Sequence, residues 1–305
     1  MYELNVFRRS ITGFKRNVTF VPMSKTQSFY QSILQNSTLV VKVSGKICDH
    51  QKSIENVIRD IKQLLSTITK LKVVLVFGFG RQLDNYMKNV HQTEPQKING
   101  RRITSKDDIE AAKKISGQIL IDIFSLSSRY NIRNFPIPIS KKDFIAAKKR
   151  EVVDGVDYGQ VGDVISVDAL EIQKLFKEHD MIIMPSLVLD KNTSDVLNVN
   201  ADTIATELAV NLSASKLIFI SDVPYIKDLN GDRISSVDEN VAKKLFDEKI
   251  ISDGMIIKVE NSLKALDQGV QKIHIISGEI ENALLTELET EDGIGTVFQK
   301  QSLDY

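Results

Sequence analysis

What most restricts this chain is a repeated change of hydrophobic period. Short β-branched runs alternate with stretches whose apolar residues recur every three or four positions. Leu39–Val43 reads LVVKV and stops at Ser44-Gly45. Ile54–Ile68 then carries Ile54, Val57, Ile58, Ile61, Leu64 and Leu65 on one helical face. Lys72–Phe77 is a second buried-type strand, closed by Gly78-Phe79-Gly80. The rhythm predicts further helices over Lys106–Ser128, Asp168–His179, Asp202–Leu212 and Ile257–Gln268, and a last one through Leu284, Leu285 and Leu288. It predicts strands over Met181–Met184, Lys216–Ile220 and His274–Ile276. Strands alternating with helices imply an α/β fold around a mainly parallel sheet. Two regions break the pattern. Phe135–Asp163, rich in charge, Gly and Pro, reads as hairpins or a flap. Asp228–Arg233 reads as a hairpin with Asn230-Gly231 at its turn. The same string lacks the later ligands and terminal Glu of a calcium loop.

With 305 residues the chain has room for two lobes. Its 40 Lys+Arg balance 40 Asp+Glu, which argues against a dedicated nucleic-acid binder. No apolar run reaches the roughly 18 residues of a membrane span, so no membrane partner is expected. Cys48 is the only cysteine, and His50, His91, His179 and His274 are scattered, so no side-chain metal site is expected. Residues 1–48 carry seven bases against Glu3 alone. That start reads as a basic N-terminal arm docking on an acidic surface; an organellar transit peptide is the alternative. Without a secretory apolar core, a reduced, cytoplasmic setting is expected.

The chemistry begins with misplaced cations. Lys42 interrupts a strand that otherwise reads as buried, and Lys258 sits in the apolar run GMIIKV. Alone, either could be an edge lysine facing solvent. Between them lies Asn198-Val199-Asn200-Ala201-Asp202, a loop leading into a helix N-terminus, where Asp202 could serve as a cap. There is no GxxxxGK[ST] loop, and Gly78-Phe79-Gly80 lacks the third Gly of a dinucleotide fingerprint. A Gly-bearing turn before a helix still aims backbone N–H groups at an anion. Two cations, a carboxylate and two Gly turns at strand ends together fit phosphoryl transfer, which needs positive charge around the moving group.

In order and spacing, VVKVSG (Val40–Gly45), FGFG (Phe77–Gly80), NGRRIT (Asn99–Thr104), DYGQVGDV (Asp157–Val164), NVNAD (Asn198–Asp202), SDV (Ser221–Val223), DGMIIKV (Asp253–Val259) and GIGT (Gly293–Thr296) resemble the amino acid kinase family. The resemblance runs from about Tyr30 to the C-terminus and is strongest to the acetylglutamate kinase branch and to the kinase-like domain of N-acetylglutamate synthase. It implies a three-layer sandwich in two lobes: residues 31–212 for substrate and 213–305 for nucleotide, after an arm over residues 1–30. The implied reaction moves the γ-phosphoryl of ATP, with Mg2+, to the side-chain carboxylate of N-acetyl-L-glutamate, a step in arginine biosynthesis. By the same resemblance, Lys42 and Lys258 flank the transferred phosphate and Asp202 orients them. Arg102 and Asn198 hold the acceptor, and Gly45, Gly78, Phe79 and Gly80 bring backbone N–H groups to substrate and phosphate. Ser221, Asp222, Gly254 and Met255 border the nucleotide.

Arginine-inhibited members carry an N-terminal helix that interlocks dimers into a hexamer. Tyr30, Lys216, His274, Glu287, Gly293 and Gly295 resemble their arginine site. The plainer readings are core packing for Tyr30, a satisfied strand histidine for His274 and a solvated helix face for Glu287. The chain departs from the family at Ser44, Phe79 and Pro224-Tyr225, where glycines are usual. A phenyl ring at Phe79 must swing into the core or overhang the phosphate path; the first is expected. The runner-up function is a weakly catalytic arginine sensor that regulates a separate acetyltransferase. A kinase for another carboxylate or a carbamate is the third possibility. The chain ends soon after Gly293–Thr296, so no acetyltransferase domain is expected to follow.

Overall fold

The computed structural model describes residues 29, 31–98, 101–140 and 144–300. Tyr30, and with it nearly all of the basic arm, lies outside the described residues.

One eight-stranded sheet organises the body. Its strands are β1 (Thr38–Val43), β2 (Lys72–Phe77), β5 (Asn134–Pro136), β8 (Met181–Pro185), β11 (Lys216–Ser221), β14 (Ser236–Val237), β15 (Lys272–Ser277) and β16 (Thr296–Phe298), in spatial order β14-β16-β15-β11-β1-β2-β8-β5. Every pairing is parallel except β15 with β16. This is the mainly parallel α/β sheet the alternating periods implied, in the three layers the family resemblance implied. The sheet runs unbroken past residue 212, because β1 pairs with β2 on one side and with β11 on the other.

Smaller elements complete the numbering: β3 (Lys97–Ile98), β4 (Arg101–Arg102), β6 (Ile145–Lys149), β7 (Gly162–Val167), β9 (Leu187–Leu189), β10 (Val196–Asn198), β12 (Ile226–Lys227) and β13 (Arg233–Ile234). The helices are α1 (Gly45–Asp49), α2 (Gln51–Thr67), α3 (Gly80–Val90), α4 (Lys106–Arg129), α5 (Ala169–Leu175), α6 (Ala201–Asn211), α7 (Glu239–Asp247), α8 (Asp253–Asp267) and α9 (Ala283–Glu289).

Because side chains alternate across a strand, the sheet feeds two cores. Leu39, Val41 and Val43 face one core with α2, α4 and α9, where Ile58, Ile123 and Leu284 are buried. Val40 faces the other, with Ile204 of α6, Leu245 of α7 and Val259 of α8. Lys42 shares the parity of Val40, so the pleat alone aims it at the α6–α8 side.

The differences from expectation are local. Phe135 and Pro136 belong to the edge strand β5, and only Ile145–Val167 makes the hairpin, β6 against β7 with a bulge at Ala146/Ala147. Pro lacks an N–H, so an edge strand is where a sheet tolerates it. Helix α8 starts at Asp253, four residues before the apolar spacing becomes regular at Ile257. Lys258, already inside the expected helix, therefore lies in its second turn. Helix α7 was not foreseen; it buries only Ala242 and Leu245, too few apolar positions to give a clear period. Asp228–Asp232 does join a hairpin, β12 with β13, held by Asp228 Oδ1 accepting from the Asn230 and Asp232 N–H groups.

Candidate active site

A cavity of about 640 Å³ opens at the carboxyl ends of β1, β2 and β11. In parallel sheets this is where ligands bind, because the loops that follow the strands splay apart there. Ser44-Gly45 follows β1, Gly78-Phe79-Gly80 follows β2, and Ser221-Asp222 closes β11; all line the cavity. The first two turns pack tightly. A Cβ on Gly45 would stand 3.1 Å from the Gly78 carbonyl oxygen and would displace Gln82 Oε1, so a side chain there crowds the contact between the two turns. Gly80 is under no such constraint, since nothing lies within 4 Å of its missing Cβ.

On the cavity wall, three buried charged groups converge. Lys42 Nζ lies 2.8 Å from Asp202 Oδ1, and Lys258 Nζ lies 2.9 Å from Asp202 Oδ2. All three residues are less than a tenth exposed. The helix cap that Asp202 might have supplied is made by Asn200, whose side chain accepts from the Asp202 and Thr203 N–H groups. That leaves the Asp202 carboxylate free for both lysines. Burial alone would raise its pKa, but Lys258 and Lys42 hold it well below the ordinary carboxylate range. Burial lowers the Lys258 ammonium, and Lys42 adds to this while Asp202 opposes it. The Lys258 ammonium also sits 4.9 Å from the centre of the Phe219 ring. The cluster holds two cations against one anion.

Phe79 is 2% exposed and belongs to the core that includes Ile47, Phe77 and Leu83. Its ring is directed into the core, the first of the two orientations expected. Asn198 lines the cavity and donates from Nδ2 to Thr104 Oγ1 at 3.2 Å. Gly254 and Met255, in the first turn of α8, line it too. Asp222 accepts from Lys46 Nζ at 2.9 Å, which holds its carboxyl below the usual range despite partial burial. Arg102 also lines the cavity, but its guanidinium is engaged by Asp84 and, at 2.8 Å, by Asp108. Asp108 completes a capping box with Ser105 at the start of α4. Sequence reasoning passed over two residues: Lys46, the counter-ion of Asp222, and Arg101, the neighbour of Arg102 in β4. Lys-Arg spacing near glycine turns could have flagged both.

Away from the cavity, Lys216, His274 and Glu287 also meet. Lys216 Nζ lies 3.2 Å from His274 Nε2, and His274 Nδ1 lies 2.7 Å from Glu287 Oε1. Glu287 Oε2 accepts from the Ile294 and Gly295 N–H groups at 2.7 and 2.8 Å. Burial pushes the His274 pKa down to about 4, so the ring is neutral near pH 7. Its Nδ1–H donates to Glu287 and its Nε2 accepts from Lys216. Burial, with Lys272 nearby, takes Lys216 down to about 8. The solvated-face reading of Glu287 is overturned: it is 7% exposed and ties α9 to the Gly293–Gly295 loop. Gly293, at φ +53°, runs so close that a Cβ would stand 2.6 Å from Glu287 Oε2. Gln31, next to Tyr30, donates to Glu289 of the same helix at 2.6 Å.

Fold and site define a phosphotransferase architecture in which paired lysines face a strand-end cavity. The chain belongs to the amino acid kinase family, whose sequence profile matches residues 37–277. It is 35% identical over 262 residues to an acetylglutamate kinase of Hydrogenobaculum sp., an alignment covering 84% of this chain and 90% of that one. It is 31% identical over 293 residues to that of Methanoculleus marisnigri, covering 93% and 98%. Among solved structures it resembles N-acetylglutamate synthase from Neisseria gonorrhoeae in complex with coenzyme A and N-acetyl-glutamate, with TM-score 0.83 and 21% identity. That match covers 91% of this chain but spans only 63% of the synthase. Carbamate kinase from Giardia lamblia bound to AMP-PNP shares the fold at TM-score 0.61 and 13% identity, over 87% of this chain and 99% of that one. Among the described residues, no helix is long and apolar enough to cross a membrane.

Proposed function

We propose that this chain transfers the γ-phosphoryl group of ATP to the side-chain carboxylate of N-acetyl-L-glutamate. The observation that carries this reading is the Lys42–Asp202–Lys258 bridge, whose net positive charge faces the cavity. An ionised carboxylate oxygen of the acceptor attacks γ-phosphorus, a new P–O bond forms, and the bond to the β-phosphate bridging oxygen breaks. The nucleophile is already an anion, so no general base is required. Catalysis then rests on positioning and on charge around the three equatorial oxygens. Lys42 and Lys258 neutralise that charge, and Asp202 holds both ammonium groups in place without becoming protonated.

The residues present fit a nucleotide: the Gly45–Gly78 contact brings two turns together, and buried cations await an anion. A magnesium ion would neutralise charge on the phosphates. Among the described residues no three acidic, His or Cys side chains converge on a metal position, so such an ion would be held largely by the nucleotide's own oxygens. Ser221, Asp222, Gly254 and Met255 would border the nucleotide, and Asn198 the acceptor.

Arginine is proposed as the regulator, bound beside Lys216, His274, Glu287 and the Gly293–Gly295 loop, with Tyr30 completing the site. Assembly through the N-terminal helix and a cytoplasmic setting belong to the same reading. The competing function is a weakly catalytic arginine sensor partnered with an acetyltransferase, favoured by the side chains at Ser44, Phe79 and Tyr225. Coupled ATP turnover across a panel of acylated amino acids, beside thermal melts with millimolar arginine, separates the two. Turnover with N-acetyl-L-glutamate is expected. An arginine-dependent rise in melting temperature without any turnover would favour the sensor.

A further inference from the structure

The turn between β1 and α1 has a lysine on each side, and the two are held differently. Lys42, before Ser44-Gly45, is buried against Asp202. Lys46, after it, lines the same cavity, but its side chain is 35% exposed. The Lys46 Nζ lies 2.9 Å from Asp222 Oδ2, just past the end of β11. It lies 3.6 Å from Glu279 Oε1, two residues beyond β15. Charges therefore alternate along the strand ends: Lys42, Asp202 and Lys258, then Asp222, Lys46 and Glu279. Burial lowers the Lys258 ammonium, and Asp222 is among the charges that oppose this, so the two halves of the series share one field.

The halves differ in how firmly they are fixed. An ion pair at an open rim gains little, because water screens both charges. The hydrogen bond to Asp222 raises the Lys46 ammonium pKa, so the group stays protonated. Asp222 offers it one negative charge, whereas a nucleotide phosphate chain offers several and more acceptor oxygens. A protonated lysine on a flexible four-carbon stem can exchange the first for the second. Lys42 and Lys258 are buried against Asp202 and have no such freedom.

We propose that Lys46 receives the β-phosphate of the nucleotide, the group left behind when the γ-phosphoryl departs, and that Asp222 holds its ammonium in the cavity until then. The inference rests on the phosphotransfer reading above and deepens it. In that reading Lys42 and Lys258 surround the γ-phosphoryl, and Asp222 ties Lys46 to the nucleotide side of the cavity. When the bond from γ-phosphorus to the bridging oxygen breaks, its electron pair stays on that oxygen and charge gathers on the β-phosphate. An ammonium there stabilises the leaving group without transferring a proton.

Calorimetric titrations of the full chain with ADP, and with AMP, which lacks the β-phosphate, test this in the presence of magnesium. Wild type is compared with Lys46→Met, Asp222→Asn and the double variant, with melts to verify folding. Lys46→Met should lose roughly 10-fold in ADP affinity, the low end for a hydrogen bond to a charged group, and little in AMP affinity. The double variant separates contact from screening. If Lys46 touches phosphate, its removal still weakens ADP binding in the Asp222→Asn background. If it only screens Asp222, the effect vanishes in that background and the proposal is overturned. An equal loss for AMP and ADP also overturns it, because that marks a structural clamp between α1 and β11. Turnover of ATP with N-acetyl-L-glutamate distinguishes the two levels of the argument. Should wild type bind ADP through Lys46 without any turnover, the phosphotransfer reading falls and this inference stands. If Lys46→Met matches wild type in ADP binding and in turnover, the inference falls and the reading stands. Failure of wild type to bind either nucleotide removes both.

Discussion

Two buried polar trios use one sheet in opposite ways. Lys42, Asp202 and Lys258 lie on the α6–α8 face, toward the carboxyl end of β1. Lys216, His274 and Glu287 lie on the other face, with Lys216 at the amino end of β11. The parity of the strands shows this: Lys216 alternates with the core residues Ile218 and Ile220 of the α2–α9 side, whereas Lys42 alternates with Val40 of the other. The first trio keeps a surplus cation and opens on the cavity. The second closes on itself, because Glu287 is satisfied by a neutral imidazole and two backbone N–H groups. A buried charge surplus is tolerable only where an anion can arrive, while a balanced network serves to hold elements together.

The largest expected effect breaks the closed trio. Glu287→Ala strands the His274 Nδ1–H and two N–H groups and removes the counter-charge of Lys216. Unfolding free energy from denaturant melts should drop by about 3–5 kcal/mol. A loss under about 1 kcal/mol would show that the network is not structural.

Breaking the open trio should leave the fold and disable the chemistry. In Lys258→Ala the Lys42–Asp202 pair remains balanced, so the melt should move less than in Glu287→Ala. Turnover should fall roughly 10²–10³-fold, as when one transition-state donor is lost. Normal turnover would remove Lys258 from the reaction.

Acid titration sharpens the contrast. The unfolded chain protonates His274 near pH 6.5, but the folded chain resists until about pH 4. Between those values the unfolded state binds more protons, so stability falls as pH falls, by up to about 3 kcal/mol from this residue. His274→Gln should flatten that part of the stability–pH curve. An unchanged slope would place the acid sensitivity elsewhere.

A smaller effect separates the glycines of the open site. Gly80→Ala should shift the melt by less than about 1 kcal/mol, a favourable change of helix propensity with no collision. Gly45→Ala should lower turnover, because its Cβ forces Gly78 and Gln82 apart. Equal effects would mean that the turn contact is slack.

Much of this could be read from residues in order. The period of two in LVVKV and the helical spacing of Ile54–Leu65 are local properties, so strand and helix types and the parallel sheet followed from them. Lys42 stood out because a charge inside a central-strand pattern needs a partner. Lys258 stands out too, as a cation in an apolar run that opens the expected helix, although that helix begins four residues earlier. The short helix α7 left too little apolar pattern to see.

The sequence by itself determined the alternation of elements, the parallel sheet and the presence of cations that could not face water alone. Only the tertiary structure decided who neutralises whom. Asp202 could have capped its own helix; Asn200 does so instead, and Asp202 bridges lysines 160 residues before it and 56 after it in the chain. Arg101 and Arg102 look alike in sequence, yet Asp84 and Asp108 engage one and leave the other open to the cavity. Glu287 reads as a solvated helix residue until the Gly293–Gly295 loop folds over it. Periodicity acts over a turn or a pleat, whereas a buried charge answers to whatever the distant chain brings within about 3 Å.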